Sequence, residues 1–294
     1  MRLVITIFLF VTIASVTDLT SSFKMILSLS PKVILGCFFL LLGQLLITST
    51  RWHLLIKSMS GTLPLKNCLR LYWIGIFFSQ MLPTSIGGDV VRAMLVDRKY
   101  FSAKKTLASI ILERFIGLGT LVIVALFYLL PLLSELEIPS QGIYILMFIF
   151  IFCTCLLVFM KNNSFVKRLR EFVFAILYEC GNGFSIIIKQ PLTLFKILVL
   201  SIASHGLAIT VAYYLIIHLH GVLPIFPVIG SMACAMLLAA LPLSISGWGL
   251  REGTMLILLT QVGVSAEAAI ASGVALGVIT LLFSLPGGIL YIQK

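Results

Sequence analysis

A short proline- and glycine-containing motif occurs twice in this 294-residue chain, both times within strongly apolar sequence. The first copy, residues 82–92, reads LPTSIGGDVVR, and the second, residues 241–252, reads LPLSISGWGLRE. Six residue identities recur at a constant offset of 159 positions. Proline removes a backbone donor and glycine permits unusual dihedral angles, so each copy is expected to break a helix. The repetition predicts a structural device that the chain uses twice.

The composition places both motifs in a membrane protein. Hydrophobic residues make up 60% of the chain and charged residues only 11%, with a mean hydropathy of +1.16, whereas a soluble domain carries roughly 25% charged residues. The formal net charge of +11 therefore reflects membrane orientation and anionic lipid rather than nucleic acid. We predict an all-α integral membrane protein whose partners are the bilayer and a membrane lipid.

The apolar runs predict six full transmembrane helices and two shorter segments that lead into the motifs. The full spans are predicted at residues 3–17, 33–50, 106–130, 142–160, 197–218 and 264–286. The shorter segments, residues 71–82 and 228–241, fall below the roughly 18 residues needed to cross a bilayer. Broken helices are tolerated at membrane depth where they are buried in protein or line a cavity. We therefore predict two re-entrant helical hairpins.

The stretches between these spans are predicted to be loops or surface segments. Residues 51–70 are assigned to a basic loop that begins with Arg51 and Trp52, a pair typical of an interfacial anchor. Residues 131–141 are assigned to a short acidic loop. Within residues 161–196, apolar residues recur at helical spacing and basic residues fall on the opposite face. This pattern predicts a basic amphipathic helix on the membrane surface.

The distribution of basic residues indicates the orientation of the chain. If the N-terminus is cytoplasmic and both hairpins are re-entrant, 17 of the 21 lysines and arginines lie on the cytoplasmic side, as the positive-inside rule requires. Full crossings at the motifs would instead move the basic residues of 92–105 to the outside. We predict a multi-pass protein of the cell (inner or plasma) membrane with both termini in the cytoplasm.

This layout also predicts an internal repeat. Each half reads as a span, a polar stretch, a span, a re-entrant hairpin and a span, and the two hairpins enter from opposite faces. A single membrane domain, residues 1–294, would thus contain two inverted repeats, residues 1–130 and 142–294. Inverted repeats with interrupted helices are typical of secondary transporters, in which the interruptions mark the binding site.

The motifs have the chemistry of an anion site. The helices are expected to restart near Gly88 and Gly249, where free N–H groups and the positive end of the helix dipole suit a phosphate. Arg92 and Arg251 follow about one turn later and could add bidentate contacts. The alternative is structural: proline and glycine shape a tight loop, and each arginine pairs with a neighbouring acid.

Charged residues also lie within the predicted span 106–130, at Glu113 and Arg114. Ionisable groups at membrane depth are functional by default, although a structural ion-pair network with Asp89 and Arg92 is the alternative. The candidate substrate-binding residues are Pro83, Ser85, Gly87, Gly88, Asp89, Arg92, Glu113, Arg114, Pro242, Ser244, Gly247, Trp248, Arg251 and Glu252.

Within this set, the two acids that flank the motif arginines are given a specific role. Asp89 and Glu252 are predicted counter-ions that release the arginines when a substrate anion arrives. Trp248 is predicted to line a cavity for an amphipathic substrate. His205, in the span 197–218, is interpreted as a lone histidine with a hydrogen-bond partner, with a proton relay as the alternative.

No motif for a cofactor, a metal or a nucleotide is apparent in the sequence. His218 and His220 are two residues apart and do not share a helix face, so no metal site is predicted there. No HExxH sequence, P-loop or CxxC pair occurs. We predict a protein without a cofactor that is not an enzyme.

Four motifs together are similar to those of a known family. They are RW…LL at 51–55, LPTSIGGDVVRA at 82–93, SxxxERxxG at 109–117 and LPLSISGWGLREG at 241–253. In this order they resemble the flippase-like transmembrane region of lysylphosphatidylglycerol synthases, over essentially the whole chain. The resemblance implies a polytopic lipid flippase with two re-entrant segments. It is to a stand-alone member without an aminoacyl-transferase domain, so the lysyl-lipid substrate does not carry over.

The hypothesis from the sequence is a flippase that moves an anionic, phosphate-bearing lipid between leaflets. The lipid is either a phospholipid or a polyprenyl-phosphate-linked sugar, held by Arg92 in the inward-facing state and by Arg251 in the outward-facing state. A homo-oligomer is compatible with this hypothesis. The alternative is a membrane-embedded glycosyl- or acyl-transferase acting on a lipid phosphate, although no DxD motif occurs. A third possibility is a membrane scaffold without transport activity.

Overall fold

The computed structural model describes residues 17–82, 86–135, 164–240 and 244–293, together with several positions between residues 6 and 15. Within these ranges the regular structure is helical, and no strand occurs. The helices are α1 (Leu19–Leu27), α2 (Pro31–Ser58), α3 (Leu65–Met81), α4 (Gly87–Leu95), α5 (Ala103–Glu135), α6 (Ser164–Ile188), α7 (Pro191–Leu219), α8 (Ile225–Ala240), α9 (Leu250–Thr260) and α10 (Ala266–Ile292).

Four of the described helices, α2, α5, α7 and α10, are long and apolar enough to cross a membrane. They correspond to four of the six predicted full spans. Of the other two, the span at residues 3–17 is described at about half of its positions, and the span at 142–160 lies wholly outside the described residues. The prediction of an all-helical membrane protein is therefore confirmed at the level of its class.

The prediction of a loop at residues 51–70 is wrong. Helix α2 continues to Ser58, and α3 already begins at Leu65, so the connection is short. Arg51 is 6% exposed and Trp52 is fully buried, so neither is an interfacial anchor. A charged residue does not end this helix because neighbouring helices supply hydrogen-bond partners for it.

Several other helix bounds differ from the predicted ones because propensity and packing extend the helices into polar sequence. Helix α5 runs through Glu135, so the first part of the predicted acidic loop is helical. Helix α6 occupies most of the polar stretch 161–196, and α7 begins with Pro191 at its first turn, where proline has no intrahelical N–H to lose.

The predicted polar stretch near the N-terminus also forms a helix, α1. Asp18 caps it, because its carboxylate accepts hydrogen bonds from the backbone N–H groups of Thr20 and Ser21. The Ser21 hydroxyl donates to the same carboxylate at 2.6 Å. These hydrogen bonds, with that of the Ser21 hydroxyl the largest, hold the pKa of Asp18 below its ordinary value.

Each of the two motifs separates a longer helix from a shorter one. Helix α3 has 17 residues and α4 has 9, while α8 has 16 and α9 has 11. The second helix of each pair begins at Gly87 or at Leu250, close to the predicted restarts. Within each pair the two helices pack against each other, so each motif turns a helical hairpin.

The helix contacts of the first half recur in the second half. Helix α3 packs against α10, and α8 packs in the equivalent way against α5. Helix α1 lies against α10 as α6 lies against α5, and the two long helices α2 and α7 pack on each other. In chain order, α1 to α5 thus make the same kinds of contact as α6 to α10.

A tryptophan ties the first hairpin to α10. Trp73 of α3 donates a hydrogen bond from Nε1 to the carbonyl of Phe283 at 2.9 Å, and its ring stacks on the Phe283 ring with centroids 5.4 Å apart. Gly287 of α10 lies against the backbone of Trp73, since a Cβ at Gly287 would come within 2.3 Å of the Trp73 carbonyl oxygen. The contact brings α3 and α10 into backbone proximity.

Substitution of Trp73 by phenylalanine should lower the free energy of unfolding by about 1 kcal/mol, because one hydrogen bond is lost while an aromatic ring is kept. Thermal unfolding of the purified protein in detergent measures this difference. Phe39→Leu, at an exposed aromatic residue of α2, is the control and should stay within about 0.5 kcal/mol of the wild type. Equal effects of both substitutions would show that the hydrogen bond contributes nothing.

Candidate functional site

Five charged side chains from three helices form one connected network beside the first hairpin. We name it the charge cluster, and it consists of Arg51 of α2, Asp89 and Arg92 of α4, and Glu113 and Arg114 of α5. Four of these five are predicted site residues, and the structure brings them together. The ion-pair network that the sequence offered as an alternative is therefore present.

Glu113 lies at the centre of the charge cluster. Its Oε1 accepts a hydrogen bond from Arg51 Nη2 at 3.0 Å, and its Oε2 accepts one from Arg92 Nη2 at 2.9 Å. The side chain is 3% exposed. One carboxylate thus ties α2 and α4 to α5, and both of its oxygens are occupied by charged donors, which make the stronger hydrogen bonds.

Asp89 extends the charge cluster towards the surface. Its Oδ1 accepts from Arg92 Nη2 at 3.1 Å, and its Oδ2 accepts from Arg114 Nε at 2.8 Å. The side chain of Arg92 is 3% exposed, that of Asp89 is 13% exposed and that of Arg114 is 52% exposed. The charge cluster therefore runs from a buried end at Arg51 to an accessible end at Arg114.

Two aromatic rings enclose Arg92. Its Cζ lies 4.3 Å from the ring centroid of Trp52 and 4.4 Å from that of Tyr72, distances at which a cation is attracted to the face of a ring. Trp52 is itself oriented by a hydrogen bond from Nε1 to Ser109 Oγ at 3.1 Å. The rings keep water away from the guanidinium, which strengthens its ion pairs.

Arg51 and His205 connect the charge cluster to α7. Arg51 Nη1 donates to Ser201 Oγ at 3.1 Å, and His205 Nε2 is 2.9 Å from the carbonyl oxygen of Gly117. A Cβ at Gly117 would lie 3.6 Å from Arg51 Nη1 and 3.9 Å from His205 Nε2. His205 therefore has the hydrogen-bond partner that the sequence interpretation expected, while its Nδ1 has none among the described residues.

Sequence reasoning missed Arg51, Trp52 and Tyr72 as site residues. The signal for the first two was present in the RW pair at the end of an apolar run, but this pattern is also typical of a membrane interface. Tyr72 carries no signal of its own, because an aromatic residue in an apolar helix usually only fills the core.

The first break depends on contact between the backbones of the two hairpin helices. A Cβ at Gly88 would lie 1.9 Å from the Gly75 carbonyl oxygen and 2.2 Å from Ser79 Oγ. A Cβ at Gly87 would lie 2.6 Å from a side-chain carbon of Leu82. Both predicted glycines are thus needed for space, while Pro83 and Ser85 lie outside the described residues.

The second break uses backbone conformations that favour glycine. Ser246, Gly247 and Gly249 have φ angles of 50°, 78° and 85°, in the region that side chains with a Cβ rarely adopt. Glu252 then caps α9, because its Oε2 accepts from the Gly249 N–H at 2.6 Å. Its side chain is fully buried, and Arg251 Nε donates to its Oε1 at 3.0 Å.

Arg251 also lies close to Trp248, with Cζ 5.2 Å from the ring centroid. A Cβ at Gly277 of α10 would come within 2.5 Å of both Arg251 Nη2 and Trp248 Cη2, so these two side chains pack where α10 presents a glycine. Ser244 is buried, and its hydroxyl has no hydrogen-bond partner among the described residues. Pro242 lies outside the described residues.

The second break is in contact with the helix that leads into the first break. The Ser246 hydroxyl donates a hydrogen bond to the carbonyl oxygen of Ser79, near the end of α3. The backbone N–H of Ile245 donates to Thr6 Oγ1 at 3.1 Å, which ties the second break to the N-terminal segment. The second motif thus lies against the end of α3, three residues before the first motif begins.

One family model matches nearly the whole chain. The model for the lysylphosphatidylglycerol synthase TM region matches residues 1–288. The chain belongs to this family. The resemblance seen in the motifs is therefore confirmed, whereas comparison with curated proteins gives no match.

Membership of the lysylphosphatidylglycerol synthase TM family indicates a function related to membrane lipid. In such a protein the charge cluster offers three guanidinium groups against two carboxylates. It can hold a phosphate by exchange of partners, since an arginine fork binds phosphate and carboxylate alike. In the part of the chain that the structure describes, no group of three or more His, Cys, Asp or Glu side chains is placed to bind a metal ion.

Proposed function

We propose that this protein moves an anionic, phosphate-bearing lipid between the leaflets of the membrane. The lipid is a phospholipid or a polyprenyl-phosphate-linked sugar. The observation that carries the proposal is the buried charge cluster, in which arginines from α2, α4 and α5 share two carboxylates. Buried charges in a membrane protein are costly and mark substrate pathways.

The ion pairs would couple lipid binding to movement of the first hairpin. Asp89 lies on α4, whereas its partner Arg114 and the central Glu113 lie on α5. A phosphate that replaces Asp89 at Arg114 therefore loosens a connection between these two helices. The lipid itself would remain chemically unchanged, and the proposed activity needs neither a cofactor nor catalysis.

The second break would provide a second phosphate-binding site that matches the one at the charge cluster. We propose that the recurring helix contacts reflect two inverted repeats, residues 1–130 and 142–294, with six full spans and two re-entrant hairpins. Arg251 would then hold the phosphate in the outward-facing state as Arg92 does in the inward-facing state. Its counter-ion Glu252 would serve Arg251 as Asp89 serves Arg92, from a different position of the repeat.

This arrangement implies a location and an orientation for the protein. We propose that it lies in the cell membrane with both termini in the cytoplasm, where the basic residues at the ends of α2, α5 and α7 face anionic headgroups. The headgroup would cross between the hairpins, while the acyl or prenyl chain stays in the surrounding lipid.

Translocation can be tested with purified protein in vesicles that contain NBD-labelled phosphatidylglycerol, where dithionite quenches only the outer leaflet. We expect the wild type to translocate the probe and both Arg92→Lys and Arg251→Lys to slow it by about tenfold or more, because lysine cannot make the bidentate contact. Arg98→Lys, at an exposed arginine outside the charge cluster, is the matched control and should transport as the wild type does.

Two results would contradict the proposal. The first is that, for both labelled lipids, phosphatidylglycerol and a polyprenyl phosphate sugar, the wild type translocates no faster than protein-free vesicles do. The other is the appearance of a new lipid species when a sugar nucleotide or an acyl donor is added, which would favour the transferase.

A further inference from the structure

The charge cluster is not electrically balanced. It contains the guanidinium groups of Arg51, Arg92 and Arg114 but only the carboxylates of Asp89 and Glu113. No other salt bridge among the described residues reaches these five side chains. Three positive charges against two negative ones leave one net positive charge in a largely buried site.

This excess charge is accessible at one end of the charge cluster. Arg114 uses its Nε for Asp89, and the described residues offer its Nη1 and Nη2 no acceptor. Its side chain is 52% exposed, while those of Arg51 and Arg92 are 8% and 3% exposed. The free edge of the Arg114 guanidinium is therefore the place at which an incoming anion first makes contact.

The charge of the lipid decides how well it can complete this site. In a low-dielectric environment an uncompensated charge is unfavourable, and a ligand that brings the total to zero is favoured. A phosphodiester with one net negative charge does so. A zwitterionic headgroup has the same phosphate, but its ammonium group leaves the total positive and lies close to like charges.

We propose that the charge cluster selects lipids by net headgroup charge and prefers a monoanionic phosphodiester over zwitterionic and dianionic lipids. Arg114 is the docking guanidinium, and Asp89 is the counter-ion that sets the balance. This inference rests on the proposed transport function and narrows its substrate class. Recognition of the phosphate alone would not separate a monoanionic from a zwitterionic phospholipid, since both contain the same phosphodiester.

The test measures translocation of three NBD-labelled lipids separately: phosphatidylglycerol, phosphatidylcholine and phosphatidic acid, whose phosphate monoester carries about −1.5 to −2 charges at pH 7. We expect the wild type to move phosphatidylglycerol about tenfold or more faster than phosphatidylcholine. R114Q brings the net charge to zero, so the preference for phosphatidylglycerol should be lost and the ratio should fall to about one or below. D89N raises the net charge to two, so the preference should shift to phosphatidic acid. R114K retains the charge and should retain the preference.

The double variant R114Q/D89N separates charge from local geometry. It restores a single net positive charge without the original ion pair, so the preference for phosphatidylglycerol should return at a lower absolute rate. Gel filtration identifies variants that do not fold. If only one of R114Q and D89N folds, the lipid preference of that variant tests the inference. If neither folds, the relative rates of the three lipids with the wild type test it.

The outcomes distinguish this inference from the proposed function. If the wild type translocates neither these three lipids nor a labelled polyprenyl phosphate sugar, both the transport function and the charge selection are overturned. If it translocates only the polyprenyl phosphate sugar, the charge selection alone fails. If it translocates phosphatidylglycerol but moves phosphatidylcholine at the same rate, only the charge selection fails. It also fails alone if the lipid preference of R114Q and D89N equals that of the wild type.

Discussion

Replacement of Glu113 by glutamine is expected to abolish lipid translocation and to lower the free energy of unfolding by about 3–5 kcal/mol. The substitution preserves the size of the side chain but removes the charge that both Arg51 and Arg92 share. Arg51 then has no anionic partner within the described residues, only the neutral glutamine oxygen and the Ser201 hydroxyl. A buried guanidinium without a counter-ion is unfavourable, and this is the largest electrostatic effect that a single substitution can have here.

Thermal unfolding in detergent and the vesicle assay together measure this prediction. Glu267→Gln, in the first turn of α10, is the matched control because Glu267 makes no salt bridge in the described part of the chain. It should stay within about 0.5 kcal/mol of the wild type. Arg51→Gln should have a smaller effect than Glu113→Gln, because Glu113 keeps its ion pair with Arg92. A Glu113→Gln protein that folds and transports normally would show that the charge cluster is not the working site.

The second large effect is expected for Gly88→Ala, which should prevent the first hairpin from closing. A Cβ at this position would lie 1.9 Å from the Gly75 carbonyl oxygen and 2.2 Å from Ser79 Oγ. The nearest atom belongs to the backbone of α3, so it cannot rotate away as a side chain would. We expect a loss of about 4 kcal/mol or more, at the upper end of what single substitutions cause.

Gly253→Ala is the control for this substitution. Gly253 lies in α9, the short helix of the second hairpin, and a Cβ there would meet no atom within 4 Å. Alanine should therefore stabilise the helix by about 0.5–1 kcal/mol. The yield of monodisperse protein and its unfolding temperature measure both variants. If Gly88→Ala is as stable as Gly253→Ala, the close contact between α3 and α4 is not required.

The breaks and their glycines could be predicted from the sequence because proline and glycine act on the local backbone. The helices restart at Gly87 and Leu250, close to the positions inferred from the motifs. The candidate residues Asp89, Arg92, Glu113 and Arg114 could be recognised because charges are rare in apolar sequence. Their mutual pairing was expected only as an alternative to ligand binding, because a single sequence does not show which helices lie side by side.

The buried end of the charge cluster could not be predicted in this way. Arg51 and Trp52 were assigned to a membrane interface, because a basic residue after an apolar run usually marks the end of a span. Only the packing of α2 against α5 and α7 shows that the helix continues and that Arg51 faces Glu113 and Ser201. Arg51 and Arg92 were also counted among the cytoplasmic charges, although both are buried.

The contact between Gly75 and Gly88 has a mechanical consequence for the first hairpin. Two backbones that touch without intervening side chains cannot slide or tilt without collision, so α3 and α4 form a stiff joint. The joint between α4 and α5 is different, since it contains ion pairs from Asp89 and Arg92 that can change partners. Any displacement of the hairpin should therefore move α3 and α4 together as one rigid body relative to α5.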